Sequence, residues 1–136
     1  MLENLIHSKL TLVLVSKLDH IGIYVKDLAK SVSFYKDVFG WNVVKEFGSG
    51  ELKIVLFDVG GGLLELVQRA GSPAPAPTGN WSHLALHVKD WAGIVAKVEA
   101  RGGEVRKITM PDGSHNAFFK DPDGHTIEAM EKGFSA

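Results

Sequence analysis

Residues 18–32 read LDHIGIYVKDLAKSV, and residues 81–95 read WSHLALHVKDWAGIV. Each stretch starts an apolar strand pattern with a histidine, continues with Val-Lys-Asp and enters an apolar helix pattern. The same offset of 63 positions aligns residues 18–69 with 81–132 without a gap, and 11 of the 52 pairs are identical. Composition alone would give about three or four identical pairs. The chain is therefore predicted to contain two copies of one structural unit.

Each copy has the sequence pattern of a βαβββ module. In the first copy, a strand over 18–25 precedes a helix over 28–39, which Asp27 caps and Gly40 ends. The inner face of this helix is predicted to carry Leu28, Val32, Tyr35 and Phe39, and strands follow near 41–47, 52–58 and 62–68. The second copy repeats the order, with strands near 82–88, 104–109, 115–120 and 125–131 and with Asp90 capping its helix. The predicted fold class is α+β, with two tandem βαβββ modules.

The remaining segments complete one domain. Residues 1–17 are interpreted as an N-terminal extension, residues 18–69 and 81–132 as the modules, and residues 70–80 as a proline-rich linker. One module of about 50 residues would be marginally stable alone, so the two are expected to share a core or to pair with another chain.

Composition excludes several classes of function. The net charge of −1 lacks the basic excess of a nucleic-acid-binding protein, and no apolar stretch is long enough to span a bilayer. A cytoplasmic location without nucleic-acid or membrane partners is expected. Because the chain has no cysteine, any metal ion must be bound by nitrogen and oxygen ligands.

Two histidines and two glutamates occupy duplicated positions in otherwise apolar strands. His20 and His83 begin the first strand of each copy, and Glu65 and Glu128 lie in the last strand, 45 positions after the respective histidine. A carboxylate in an apolar strand is costly unless it is paired or binds a cation. Ion pairs at strand ends would explain one such residue, but four at equivalent positions predict a site for a divalent metal such as Zn²⁺, Ni²⁺, Mn²⁺ or Fe²⁺.

The opening stretch, together with Phe34-Tyr35-Lys36-Asp37-Val38-Phe39-Gly40-Trp41, resembles the vicinal oxygen chelate superfamily. This superfamily includes glyoxalase I, methylmalonyl-CoA epimerase, extradiol dioxygenases, fosfomycin-resistance transferases and bleomycin-binding proteins. Residues 119–128, FKDPDGHTIE, resemble its closing motif, and the resemblance covers residues 18–131. It implies curved mixed sheets that form a metal-binding cleft, generally across a homodimer, with His20 and Glu65 of one chain facing His83 and Glu128 of the other.

The resemblance also implies a reaction. The four residues match the metal ligands of glyoxalase I, which isomerises the hemithioacetal of a 2-oxoaldehyde and a thiol through an enediolate. It implies Ni²⁺ or Zn²⁺ as cofactor, with Mn²⁺, Co²⁺ or Fe²⁺ as alternatives, and Glu128 or Glu65 as both ligand and base. The alternatives are a methylmalonyl-CoA-type epimerase and a non-catalytic drug-binding or resistance protein.

Substrate contacts are less specific. Glutathione-dependent bacterial glyoxalases commonly have an arginine where this chain has Tyr24, and often an asparagine where it has Arg69. The substrate is therefore expected to be a small molecule, and a glutathione adduct that is held differently is one candidate. Tyr24, Arg69, His87 and His115 are the candidate substrate-binding residues, and Asn116 beside His115 could contact substrate or only water.

Overall fold

The computed structural model describes residues 20–70 and 83–133. The extension at 1–17 and nearly all of the linker at 70–80 lie outside the described residues. The described chain contains two βαβββ modules, which confirms the predicted α+β fold. Module 1 consists of β1 (His20–Tyr24), α1 (Leu28–Phe39), β2 (Val43–Ser49), β3 (Leu52–Asp58) and β4 (Leu63–Gln68). Module 2 consists of β5 (Leu84–His87), α2 (Trp91–Ala100), β6 (Arg106–Thr109), β7 (His115–Lys120) and β8 (Thr126–Met130).

Both helices begin at the aspartates that the sequence indicates. The Asp27 carboxylate accepts a hydrogen bond from the Lys30 amide at 3.1 Å, and the Asp90 carboxylate accepts one from the Gly93 amide at 3.0 Å. These bonds satisfy amides that lack a partner in the first helical turn. Helix α1 ends at Gly40, whose φ of 70° is in the left-handed region that glycine adopts without strain.

Each module forms one open, mixed, four-stranded sheet. The strand orders are β1-β4-β3-β2 and β5-β8-β7-β6, and the first strand of each module runs parallel to the last. Gly22 lies opposite Glu65 on β4, and Ala85 lies opposite Glu128 on β8. The offset of 63 positions therefore holds for the strands that carry the histidines and glutamates.

The gap-free alignment is wrong for the strand next to each glutamate strand. Leu56 of β3 lies opposite Glu65, whereas Phe118 of β7 lies opposite Glu128. Strands β3 and β7 therefore correspond at an offset of 62. The cause is the turn, because four residues connect the paired ends of β3 and β4 and five connect those of β7 and β8.

The two modules share a hydrophobic core between their helices and sheets. Tyr35 is buried in it as predicted. The inner face of α1 is nevertheless shifted by one residue, since Phe34 and Val38 are buried whereas Leu28, Val32 and Phe39 are only partly buried. The shift arises because α1 also packs against module 2, where Ser31 donates a hydrogen bond to Asp123. No helix among the described residues is long and apolar enough to cross a membrane.

Candidate metal centre

His20 and Glu65 are brought together on the face of the first sheet that the helix leaves uncovered. Their strands are neighbours, and His20 Nε2 lies 3.9 Å from Glu65 Oε1. Glycine at position 22 makes room for the carboxylate, because a Cβ atom there would lie only 2.8 Å from Glu65 Oε1. We call the His20–Glu65 pair half-site 1.

His83 and Glu128 form the equivalent pair on the second sheet, which we call half-site 2. His83 Nε2 lies 3.1 Å from Glu128 Oε1, and the Glu128 side chain is 10% exposed, compared with 21% for Glu65. The other carboxylate oxygen, Glu128 Oε2, accepts a hydrogen bond of 2.7 Å from the buried Asn116 amide. The carboxylate of half-site 2 is therefore more enclosed than that of half-site 1.

The donor atoms of both half-sites, and the spacing in half-site 2, suit a divalent metal ion. Two ligand atoms that each lie about 2.1 Å from a metal are about 3.0 Å apart at a right angle and about 3.4 Å apart at the tetrahedral angle. The 3.1 Å separation in half-site 2 fits this range, and the 3.9 Å separation in half-site 1 needs a small side-chain adjustment. Imidazole nitrogen and carboxylate oxygen are ligands shared by Zn²⁺, Ni²⁺, Mn²⁺ and Fe²⁺.

A single chain does not gather the four predicted ligands into one cluster. Among residues 20–70 and 83–133, no three histidine, aspartate or glutamate side chains are close enough to hold one ion together. The structure thus brings the ligands together as two pairs, one on each sheet.

Tyr24 and Arg69 lie together at the far end of strands β1 and β4. The Arg69 guanidinium lies 4.8 Å from the centre of the Tyr24 ring, a cation–π distance. Tyr24 alternates onto the same face of the sheet as His20 and is 41% exposed. The pair presents a positive charge on an aromatic platform along the strand from half-site 1.

The remaining substrate-binding candidates lie in different places. His87 is exposed on β5 and lines a groove of about 370 Å³ near the end of α1. His115 packs on the Trp91 ring at 5.1 Å and contacts Glu131 at 3.1 Å. Because Asn116 next to it faces Glu128, strand alternation puts His115 on the opposite side of the sheet from half-site 2.

Asp121 has a structural role beyond the turn that the sequence predicts. Its buried carboxylate accepts hydrogen bonds from the Tyr35 hydroxyl of module 1 at 2.9 Å and from the His125 ring at 2.7 Å. This hydrogen bond to Asp121 raises the pKa of His125. Burial, followed by the nearby Asp121 charge, raises the pKa of Tyr35 above its ordinary value of 10.0. These contacts join α1 to the β7–β8 turn.

The family model of the Glyoxalase/Bleomycin resistance protein/Dioxygenase superfamily matches residues 17–129, which cover module 1 and all but the last residue of module 2. A Synechocystis protein named "Probable lactoylglutathione lyase" is 32% identical over 122 residues, covering 82% of this chain and 92% of that protein. A lactoylglutathione lyase of Arabidopsis thaliana is 31% identical over 84% of this chain, which spans only 44% of that longer protein.

Solved structures match the whole fold. The lactoylglutathione lyase of Agrobacterium tumefaciens superposes with a TM-score of 0.64 at 26% identity, covering 87% of this chain and 95% of that one. The fosfomycin resistance protein FosX of Listeria monocytogenes, crystallised with Mn(II), superposes with a TM-score of 0.73 at 23% identity, covering 89% and 96%. At this identity, the similarity to FosX shows a shared fold only.

Proposed function

This chain belongs to the Glyoxalase/Bleomycin resistance protein/Dioxygenase superfamily, and we propose that it is a divalent-metal-dependent lyase of the glyoxalase I type. Its substrate would be the hemithioacetal of a 2-oxoaldehyde and a thiol. The observation that carries the proposal is the pair of His–Glu half-sites at equivalent positions of the two sheets. The lactoylglutathione lyases among the relatives support the same reaction class.

The metal ligands in this proposal are His20 and Glu65 from one half-site and His83 and Glu128 from the other. The ion would be Ni²⁺ or Zn²⁺, with Mn²⁺, Co²⁺ or Fe²⁺ as alternatives. When bound, the ion would supply Lewis-acid catalysis that makes the hydrogen next to the substrate carbonyl more acidic.

A glutamate of the site moves the proton. The carboxylate removes the hydrogen from the carbon that carries the hydroxyl and the sulfur, and the electron pair of that bond enters the enediolate. The same carboxylate then returns the proton to the adjacent carbon, and the hydroxyl proton passes to the neighbouring oxygen, which gives a 2-hydroxy thioester. The reaction is an isomerisation, so it needs no external oxidant or reductant. Glu65 and Glu128 are the candidates for this role.

The complete site requires two chains in our proposal. Each described chain holds two ligand pairs rather than one cluster of four. Half-site 1 of one chain would face half-site 2 of a second copy, so a homodimer would hold two equivalent ions. Closed twofold dimers are the commonest symmetric assemblies and pair the same two surfaces reciprocally.

Arg69 and Tyr24 are the proposed substrate-binding residues nearest half-site 1. A guanidinium on an aromatic ring can bind a carboxylate, which is the group that a glutathione adduct would present. This pair would replace the arginine on β1 that the related bacterial enzymes commonly use. His87 lies on the equivalent strand of module 2 and is a further candidate for substrate binding.

Metal analysis followed by an enzyme assay tests this function. Untagged wild-type protein is expected to contain about one divalent ion per chain, and His83→Ala is expected to lose it. The reloaded wild type should convert methylglyoxal–glutathione hemithioacetal to lactoylglutathione. Metal binding with turnover of methylmalonyl-CoA instead would identify an epimerase, and absence of metal after reloading would leave a non-catalytic binding protein.

A further inference from the structure

The two glutamates have equivalent positions but different neighbours on the adjacent strand. On the uncovered face of module 2, Asn116 lies two residues before Phe118, the residue opposite Glu128. In module 1, the residue two positions before Leu56 is Ile54. Asn116 and Ile54 are therefore structural counterparts, although the 63-position alignment pairs Asn116 with Lys53 instead.

Asn116 holds one oxygen of Glu128 and leaves the other directed at the histidine. Its side-chain amide donates to Glu128 Oε2 at 2.7 Å, while Glu128 Oε1 lies 3.1 Å from His83 Nε2. Asn116 is only 3% exposed, so water competes little for this bond. A hydrogen bond to a carboxylate in such surroundings is short and strong, and it fixes the orientation of the acceptor.

Module 1 has no equivalent donor at this position. Ile54 has an aliphatic side chain, and the Glu65 carboxylate lies instead over the bare Cα of Gly22. Its Oε1 atom is 3.9 Å from His20 Nε2, which is longer than the spacing of two neighbouring metal ligands. Half-site 1 must therefore adjust to bind an ion, whereas half-site 2 already has the required spacing.

We propose that Asn116 is a positioning residue that fixes Glu128 in its ligand orientation and makes half-site 2 the primary binding site for the metal. Half-site 1 then closes onto the ion, and Glu65 is the carboxylate that changes position. This inference rests on the proposed function only in taking a divalent ion as the ligand. Residues that orient metal ligands in this way typically contribute about 10- to 100-fold in affinity.

Isothermal titration calorimetry, in which metal-free full-length protein is titrated with Ni²⁺ alone, tests the assignment without any substrate. Asn116→Leu removes the amide but keeps the branched shape, and Asn116→Ala removes it without adding bulk. Ile54→Ala is the matched control at the counterpart position. The Asn116 variants are expected to bind Ni²⁺ about 10- to 100-fold more weakly than wild type, and Ile54→Ala is expected to bind with unchanged affinity.

The melting temperature of the metal-free variants separates positioning from folding. A merely structural role would lower this temperature but leave the Ni²⁺ affinity of the folded protein unchanged, and that result would overturn the proposal. Equal losses of affinity in Asn116→Ala and Ile54→Ala would also overturn it. If the wild type binds Ni²⁺ and the Asn116 variants bind equally well, only this inference fails; if the wild type does not bind, the proposed function fails with it.

Discussion

Module 1 and module 2 repeat the same strand and helix order, yet their two half-sites differ in shape and surroundings. Half-site 2 has a 3.1 Å His–Glu contact and an asparagine bonded to the carboxylate, whereas half-site 1 has a 3.9 Å contact beside a glycine. One additional residue in the β7–β8 turn places the strand next to Glu128 in a different alignment with its counterpart. The two modules thus have the same His–Glu pair, and their neighbouring residues make the two pairs unequal.

The largest expected effect separates the two glutamates. Glu65→Gln should lower turnover by about 10²- to 10⁴-fold, the range for loss of a general base, while retaining most of the bound metal. Glu128→Gln should lose the metal itself, because it weakens the half-site that is already arranged for binding. Metal analysis and steady-state kinetics on both variants check this. Equal metal loss in both would mean that the half-sites contribute equally.

The next largest effect on kcat is expected at Gly22 and Ala85, the residues opposite Glu65 and Glu128 on the neighbouring strands. Gly22→Ala would place a Cβ atom 2.8 Å from Glu65 Oε1 and displace the carboxylate. Misplacement of a reacting group by about 1 Å can cost up to about 10²-fold in rate, so kcat should fall substantially. Gly22 is not among the described glycines with positive φ, so alanine adds no backbone strain there.

Ala85→Gly, at the counterpart position, is the control for this substitution. It removes a methyl group without creating a close contact, so kcat should stay close to that of wild type. Steady-state kinetics on the two metal-loaded variants provides the measurement. A Gly22→Ala enzyme with normal kcat would show that Glu65 does not need the space above Gly22.

The connection between modules should affect stability rather than catalysis. Tyr35→Phe removes a buried hydrogen bond to Asp121 and should lower the free energy of unfolding by about 1–3 kcal/mol. In the counterpart turn of module 1, Asp58 accepts a hydrogen bond from the Gly60 amide, and this hydrogen bond is exposed to solvent. Asp58→Ala should therefore cost only about 0.5 kcal/mol. Urea unfolding of both variants measures the difference, and equal losses would argue against Asp121 as the link between modules.

The smallest effect is the pH dependence of the same turn. Hydrogen bonding to Asp121 raises the pKa of His125 in the folded state, with smaller contributions from the Asp121 and Asp123 charges. Protonated His125 therefore stabilises the fold at pH values below its unfolded pKa of about 6.5, and this contribution is lost as pH rises through the folded pKa.

Substitution of this histidine isolates its contribution. His125→Gln should cost more stability at pH 5.5 than at pH 9, as urea unfolding at both values would measure. Module 1 has Gly62 at the equivalent position and supplies no matching contribution. A stability loss in His125→Gln that is independent of pH would contradict the interpretation of the His125–Asp121 contact.

The sequence pattern predicted the module order and both helix caps, because these features depend on local patterns and on one repeated offset. The pairing of His20 with Glu65 and of His83 with Glu128 was implied by the resemblance to the superfamily. The orientation of Asn116 was not predictable, because it depends on strand register and therefore on a one-residue difference in turn length. The available signal was that Asn116 is a polar residue directly before the apolar residues 117–119 of a predicted strand.

Contacts between the modules were also beyond the sequence. Asp121 belongs to an Asp-Pro-Asp-Gly turn that predicts a hairpin, and only the packing of α1 against it brings the Tyr35 hydroxyl within 2.9 Å. The placement of Arg69 on the Tyr24 ring was equally unforeseen, although both residues were substrate-binding candidates. Such contacts depend on how distant segments pack rather than on periodicity.

Coexpression of His20→Ala with His83→Ala tests most directly whether half-sites from two chains form one metal site. Each variant alone should have little activity, because every site in its homodimer lacks one ligand. A mixed dimer regains one intact site, so random pairing should restore about one quarter of the wild-type activity. No recovery in mixed dimers, whose presence is checked by mass spectrometry, would contradict a site shared between chains.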